Sequence, residues 1–143
     1  MRRALLVVIV LVALYLYSFF LIAAIGYALA QPHPAWWDSM FSTRGQAALT
    51  WMVLCHSMAV LVVSLPFAYL IQRVYGRYGP LVALAMTLTL FVVFALPALR
   101  YFGDSPTRFK VVTIFDQLKL VGVLPVLVWA FSKLPSNKRW SGP

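Results

Sequence analysis

The chain has 143 residues, of which 63% are hydrophobic and only 10% are charged, and its formal net charge is +9. A soluble domain carries about a quarter charged residues, so this composition excludes an ordinary soluble domain and indicates an integral membrane protein. The single cysteine excludes an intrachain disulfide framework and a CxxC redox or metal pair. Because the basic residues lie in short loops and tails, they indicate membrane topology rather than nucleic-acid binding.

The first hydrophobic stretch, residues 4–30, follows Arg2 and Arg3 and contains no charged residue. A basic start and the small residues Ala28 and Ala30 would also suit a secretory signal with its cleavage site. The apolar core of a signal peptide spans about 7–15 residues, however, and this stretch is nearly twice as long. Its length therefore favours a retained first transmembrane helix.

The first loop, residues 31–46, begins with two prolines that stop the preceding helix, since proline cannot donate and disfavours helical geometry before it. Trp36 and Trp37 follow, and their residue type is typical of the aromatic belt at the water–lipid boundary. Trp140 is expected to form a further anchor of this kind. The segment WWDSMF in this loop is compatible with a short interfacial helix.

Two other side chains with possible chemistry receive ordinary interpretations. His33 is expected to be a solvated loop histidine, because a metal or pH-sensing role would need partners and none is evident nearby in sequence. Cys55 precedes His56, but adjacent helical residues point about 100° apart, so a thiol–imidazole pair is not expected. Cys55 is therefore interpreted as a small apolar filler.

Each hydrophobic stretch has about 20–26 residues, enough to cross a hydrocarbon core of about 30 Å. The connections are short, above all the turn at residues 73–79, and short connections favour antiparallel neighbours. We therefore predict an all-α integral membrane protein, an antiparallel up-down bundle of four transmembrane helices forming one domain over residues 1–143. The predicted spans cover residues 4–30, 47–72, 80–100 and 107–132.

The basic residues predict the orientation of this bundle. On one side lie Arg2, Arg3, Arg73, Arg77, Lys133, Lys138 and Arg139. On the other side lie Arg44, Arg100, Arg108 and Lys110, with the acidic Asp38 and Asp104. Cytoplasmic loops of membrane proteins carry the excess of Lys and Arg, so both termini are predicted to be cytoplasmic. The predicted location is the inner membrane of a bacterial-type cell, with several passes.

The last predicted span differs from the others because it contains two charges, Asp116 and Lys119. An ionisable residue at the bilayer centre costs about 2.5–3.5 kcal/mol or more, so it faces protein or water and marks a site. Asp116 and Lys119 are three residues apart and share a helical face. Counting about 1.5 Å per residue places His56 and Ser18 at a similar depth. The sequence thus predicts an intramembrane polar site of Asp116, Lys119, His56 and Ser18.

Three interpretations of this polar site remain open. Asp116 and Lys119 form an internal ion pair or extend toward an outer vestibule, or they bind an ion, a proton or an anionic head group, or they contact a charged residue of a partner helix. The sequence favours "not facing lipid" without choosing among these.

The function predicted first is that of a small non-catalytic integral membrane protein that contacts another membrane protein through its helices, as an accessory subunit or an immunity-type inhibitor. The sequence contains no soluble domain, nucleotide motif, carboxylate pair or metal cluster, so no cofactor and no metal are expected. The expected partners are membrane lipids and another integral membrane protein or further copies of the chain, and not nucleic acid.

Two alternatives to this function are kept. The first is a small oligomeric transporter or channel in which Asp116, Lys119 and His56 line the pathway. Four spans alone rarely enclose a pathway, so several copies related by symmetry would form it together. The second is a lipid- or quinone-linked membrane enzyme, with His56 as general base and Asp116 as the carboxylate that orients it.

Overall fold

The computed structural model describes residues 2–99 and 107–134. Over these residues the chain is helical, and no strand occurs in them. The elements are α1 (Arg2–Leu29), α2 (Ala35–Asp38), α3 (Arg44–Tyr75), a 3-10 turn (Gly76–Tyr78), α4 (Gly79–Leu99) and α5 (Thr107–Lys133). Five residues used above to predict orientation and anchoring lie outside the described ranges: Arg100, Asp104, Lys138, Arg139 and Trp140.

Three segments of the described chain are long and apolar enough to cross a membrane: Val7–Leu29, Arg44–Val93 and Lys110–Lys133. The middle segment has 50 residues and includes α3, the 3-10 turn and most of α4. The prediction of an all-helical protein is confirmed for the described residues, with helices long and apolar enough to cross a membrane. The count of four crossings and the orientation stay predictions.

The limits of α3 follow from local chemistry at its two ends. Thr43 has an extended backbone, and its side-chain oxygen accepts a hydrogen bond from the Gln46 N–H at 3.3 Å, so α3 starts at Arg44. At the other end Gly76 has a φ of 54°, in the left-handed region that glycine adopts without a Cβ clash. The chain therefore leaves α3 sharply and enters α4 only three residues later.

Helix α3 is the centre of the packing, since α1, α4 and α5 all lie against it. Tyr17 of α1 meets Ser64 of α3, with their hydroxyl oxygens 2.9 Å apart and both residues fully buried. Two residues past the end of α1, the backbone oxygen of Gln31 accepts from the Trp51 indole at 3.2 Å. The middle of α1 thus lies beside a late part of α3 and its end beside an early part, so the two helices run in opposite directions.

Helices α3 and α5 run in the same direction beside each other. Ser57 meets Lys119 near the middle of the two helices, and the rings of Tyr69 and Phe131 lie 6.3 Å apart near their ends. This parallel pairing of helices that are not consecutive brings the polar residues of α3 and α5 to one level. Helix α4 packs against both and connects α3 to α5 along the chain.

The buried core is small and draws on each of the longer helices. It consists of Tyr17, Leu21, Val60, Ala68, Ile71, Ala83, Met86, Leu124 and Val128. Much larger apolar surface stays exposed, including Tyr15 at 70% and Leu118 at 64% of their accessible area. A water-soluble monomer rarely exposes contiguous apolar surface on this scale, so lipid or protein is expected to cover these faces.

Thr87 joins α4 to α5 at the level of a proline. Pro125 lies inside α5 and has no N–H, so the carbonyl of Val121, four residues earlier, lacks its usual helical donor. The buried hydroxyl of Thr87 lies 3.0 Å from that carbonyl oxygen and can donate to it. In membranes such side chains satisfy backbone groups that proline frees.

Gly79 lies where α4 begins in close contact with both neighbouring helices. A Cβ at this position would lie 2.8 Å from Gln72 Oε1 of α3 and 2.9 Å from Val128 Cγ1 of α5. Real Cβ atoms are essentially never that close to another heavy atom. The absence of a side chain at Gly79 is therefore what allows this close approach.

Candidate intramembrane polar site

The parallel α3–α5 pair forms a cluster of four polar side chains: His56 and Ser57 from α3, and Asp116 and Lys119 from α5. The Lys119 ammonium nitrogen lies 2.6 Å from Asp116 Oδ1, and His56 Nδ1 lies 3.3 Å from the same oxygen. Lys119 Nζ also donates a hydrogen bond to Ser57 Oγ at 2.8 Å and lies 5.6 Å from the centre of the Phe115 ring. Asp116 and Lys119 thus pair with each other and with α3.

Ser57 was not among the predicted site residues, yet it completes the surroundings of the ammonium group. Its hydroxyl donates to the Val53 carbonyl oxygen at 2.6 Å, within α3. With its proton used there, Ser57 Oγ presents lone pairs toward Lys119. The ammonium group consequently has an anionic neighbour on its own helix and a neutral acceptor on the adjacent one.

Most of this cluster is shielded from its surroundings. The exposed fraction of the side chain is 11% for His56, 25% for Asp116 and 14% for Lys119. Neither Asp116 Oδ1 nor His56 Nδ1 has a hydrogen bond of good geometry within the described structure, although charged groups stand beside both. Attraction between opposite charges, strengthened by the apolar surroundings, therefore holds the cluster together more than directed hydrogen bonds do.

Ser18 lies elsewhere. Its hydroxyl donates to the Tyr15 carbonyl oxygen at 2.8 Å, inside α1. The residue before it, Tyr17, is the one that turns toward α3 and bonds Ser64. The structure thus brings together Asp116, Lys119 and His56 and leaves the fourth predicted residue on its own helix.

The loop between α1 and α3 is tied down by indole groups. The short helix expected in WWDSMF forms over Ala35–Asp38. The Trp37 indole N–H donates to the Ala47 carbonyl oxygen at 2.8 Å, and the Trp36 and Trp37 rings meet edge to face with centroids 5.7 Å apart. The Trp37 ring also lies 5.2 Å from that of Trp51. Trp36 itself is exposed, as a lipid-interface anchor would be.

The prediction that His33 has no partner nearby in sequence is wrong. His33 Nε2 lies 2.9 Å from Asp38 Oδ1, an oxygen only five residues further along the chain. The single turn of α2 between them folds the chain back and brings the two side chains together. His33 and Asp38 are both about one-third exposed, so the pair is a surface feature of the loop.

No group of three or more His, Cys, Asp or Glu side chains suited to a metal ion occurs in the described part of the chain. The His56–Asp116 contact has the geometry that would orient an imidazole as a general base. In the structure, however, that carboxylate is shared with Lys119, which neutralises it. The arrangement is thus chiefly a compensated charge pair on α5 that contacts His56 and Ser57 of α3.

Beside the cluster, α5 carries an open groove of about 280 Å³ on its outer face. It is lined by Phe115, Leu118, Lys119, Gly122, Val123 and Val126. A Cβ at Gly122 would meet nothing within 4 Å, so the glycine leaves a depression in the groove. Because Asp116 and Ser57 hold the Lys119 ammonium group on the inner side, the groove offers a mainly apolar surface.

Comparisons with protein-family models, with curated proteins and with solved structures find no match for the chain. The function is therefore inferred from the contacts of the described residues.

Proposed function

We propose that the chain is a small non-catalytic integral membrane protein that acts through helix–helix contacts with another integral membrane protein, as an accessory subunit or an immunity-type inhibitor. The observation that supports this most is the closed polar cluster. Asp116 is neutralised by Lys119 at 2.6 Å, and Lys119 is further satisfied by Ser57. Asp116 and Lys119, whose charges indicated a possible binding site, thus pair with groups of the same chain, and the adjacent outward surface is apolar.

Our proposal includes four passes through the membrane. A straight helix over the 50 residues of Arg44–Val93 would be about 75 Å long, more than twice a hydrocarbon core of about 30 Å. The glycine turn at Gly76 divides it, and α4 returns along α3 and α5. With α1 and α5 this makes an up-down bundle, and the basic residues favour cytoplasmic termini in a bacterial-type inner membrane.

The proposed docking surface is the α5 groove, and its proposed occupant is a transmembrane helix of the partner protein. Phe115, Leu118, Gly122 and Val126 recur at spacings of three and four, which places them along one side of α5. Helix association in membranes favours faces where a small residue lets two backbones approach closely. Gly122 supplies such a position midway along an otherwise bulky apolar stripe.

Photo-crosslinking in native membranes tests this proposal. A photoreactive amino acid at Val126, within the groove, is expected to yield an adduct with a second, different membrane protein. The matched control is Tyr15, which is also exposed and apolar but lies on α1. Adducts with lipid alone at Val126, or the same protein adducts from both positions, would contradict a specific docking surface on α5.

A second function is favoured by the presence of ionisable groups within membrane-spanning segments, which often mark ion or proton paths. In that case the chain would be a small oligomeric transporter or channel using Asp116, Lys119 and His56. Flux into liposomes containing the purified protein decides this, with Asp116→Asn and Lys119→Met as variants. The transport function would be contradicted if the parent protein gave no flux, or if the variants gave the same flux as the parent protein.

A further inference from the structure

The end of the bundle formed by the last turns of α3 and α5 carries exposed basic residues. Arg73 lies in the last turn of α3, Arg77 in the 3-10 turn that follows, and Lys133 in the last turn of α5. The ring contact between Tyr69 and Phe131 holds the two helices together just before these positions. Arg73, Arg77 and Lys133 thus belong to one end of the bundle, here called the basic end.

Both arginines of the basic end are held by tyrosines. Arg73 Nη1 donates to the Tyr69 hydroxyl oxygen at 3.2 Å, and Arg77 Nη2 donates to the Tyr78 hydroxyl oxygen at 2.6 Å. The Arg77 guanidinium carbon also lies 4.7 Å from the centre of the Tyr78 ring. Each contact uses only part of a guanidinium group, which has five N–H donors, so donors remain for an external acceptor.

The lysine of the basic end is placed in a similar way. Lys133 Nζ lies 5.7 Å from the centre of the Trp129 ring, and the ring itself is 56% exposed. Exposed aromatic rings in contact with cationic side chains are typical of the membrane interface, where lipid head groups meet the hydrocarbon core. The basic end therefore combines positive charge with side chains suited to the membrane interface.

Within residues 2–99 and 107–134, no acidic side chain lies at the basic end. The acidic residues of the chain number three, Asp38, Asp104 and Asp116, so none occurs at positions 39–103 or 117–143. Asp38 contacts His33, and Asp116 is paired with Lys119 beyond reach of the helix ends. Asp104 lies outside the described residues, three positions before α5 begins in the sequence. Because no described acidic side chain lies at the basic end, we expect an anionic molecule to complement its charge.

We propose that the basic end binds the head groups of anionic phospholipids. The guanidinium groups of Arg73 and Arg77 fit phosphate oxygens in forked hydrogen bonds, and Lys133 adds a point charge. Clusters of basic residues beside membrane helices attract anionic lipid surfaces in this way. The site requires that the helices span a membrane, but it is independent of any partner protein on α5.

The test uses the full-length protein in an uncharged detergent. Its thermal unfolding is followed while phosphatidylglycerol or phosphatidylcholine is added, and the lipid concentration for half-maximal stabilisation is recorded. Each cation near an anionic surface contributes about fivefold in affinity. We therefore expect the preference for phosphatidylglycerol to fall about 100-fold in the triple variant Arg73→Gln, Arg77→Gln, Lys133→Gln.

Matched variants make this result specific to the basic end. Arg44→Gln removes an exposed cation from the opposite end of α3 and should keep the full preference. Arg77→Lys keeps the charge and should keep most of the preference for phosphatidylglycerol. Arg77→Gln alone should lower that preference about fivefold, and this single variant is the one to measure if the triple variant does not fold. About 1 M salt should weaken the preference in the parent protein.

Three results would overturn the proposal. One is equal stabilisation of the parent protein by the two lipids. Another is an unchanged preference in Arg77→Gln and in the folded triple variant. The third is equal protection by inorganic phosphate at matched concentration, which would indicate a site for the free anion instead of a lipid.

Discussion

Separating Asp116 from Lys119 should destabilise the bundle strongly, while replacing both should not. Removing one member of a buried ion pair costs about 3–5 kcal/mol, because it leaves an uncompensated charge. The Asp116 side chain is 25% exposed and the Lys119 side chain 14%, so the loss should be somewhat smaller here. We expect Asp116→Asn or Lys119→Met alone to lower the free energy of unfolding by about 2–4 kcal/mol. The double variant removes both charges, and exchanging a buried pair for neutral groups is often close to neutral.

The assay is unfolding in mixed micelles by added dodecyl sulfate, followed by circular dichroism for the parent, both single variants and the double variant. Lys133→Met is the matched control, since it removes an exposed lysine from the same helix and should change stability by less than about 0.5 kcal/mol. The reasoning is refuted if the two single losses simply add in the double variant, because Asp116 and Lys119 would then not be coupled.

Other predictions concern the contacts between helices. Tyr17→Phe should lower the free energy of unfolding by about 0.6 kcal/mol in the same assay, the average for hydrogen bonds between membrane helices. In a Ser64→Ala background, where the hydrogen bond is already absent, Tyr17→Phe should cause no further loss. Thr87→Val keeps the shape but removes the donor to a carbonyl freed by proline, and should cost about 1–2 kcal/mol; a neutral result would show that this carbonyl needs no partner. Gly79→Ala should cost about 1–3 kcal/mol through overpacking, whereas Gly26→Ala, where the added Cβ meets nothing within 4 Å, should be neutral or slightly stabilising.

The prediction of a polar site rested on the energetic cost of charges in an apolar span and on depth along the helices. A charged pair inside an apolar span must face protein or water, and spacing by three put Asp116 and Lys119 on one face. His56 was assigned to the site by counting residues inward, and in the structure α3 and α5 run in the same direction, so His56 and Asp116 lie at one level. The structure shows the resulting contact at 3.3 Å between His56 and Asp116.

The position of a residue along a helix does not determine which neighbouring helix its side chain faces. The features that the sequence did not predict depend on such contacts between helices. Ser18 was assigned the level of His56 by the same count, but its neighbour Tyr17 contacts Ser64, which lies eight residues, or about 12 Å, further along α3 than His56. Tyr17, about 100° away around α1, is also the residue that faces α3. Ser57 was missed because its role depends on where Lys119 stands across the helix pair. Thr87 could be recognised only once it was known to lie opposite Val121.

The most direct test of the proposed function is the mass of the particle that mild detergent extracts from native membranes. We predict a complex that contains a second integral membrane protein, with a mass that is not a whole multiple of this chain's own. Introducing Gly122→Phe into the α5 groove should release the partner, whereas Gly26→Phe on α1 should not. A particle made only of this chain, as a monomer or as identical copies, would contradict the account, and identical copies would favour the transporter instead.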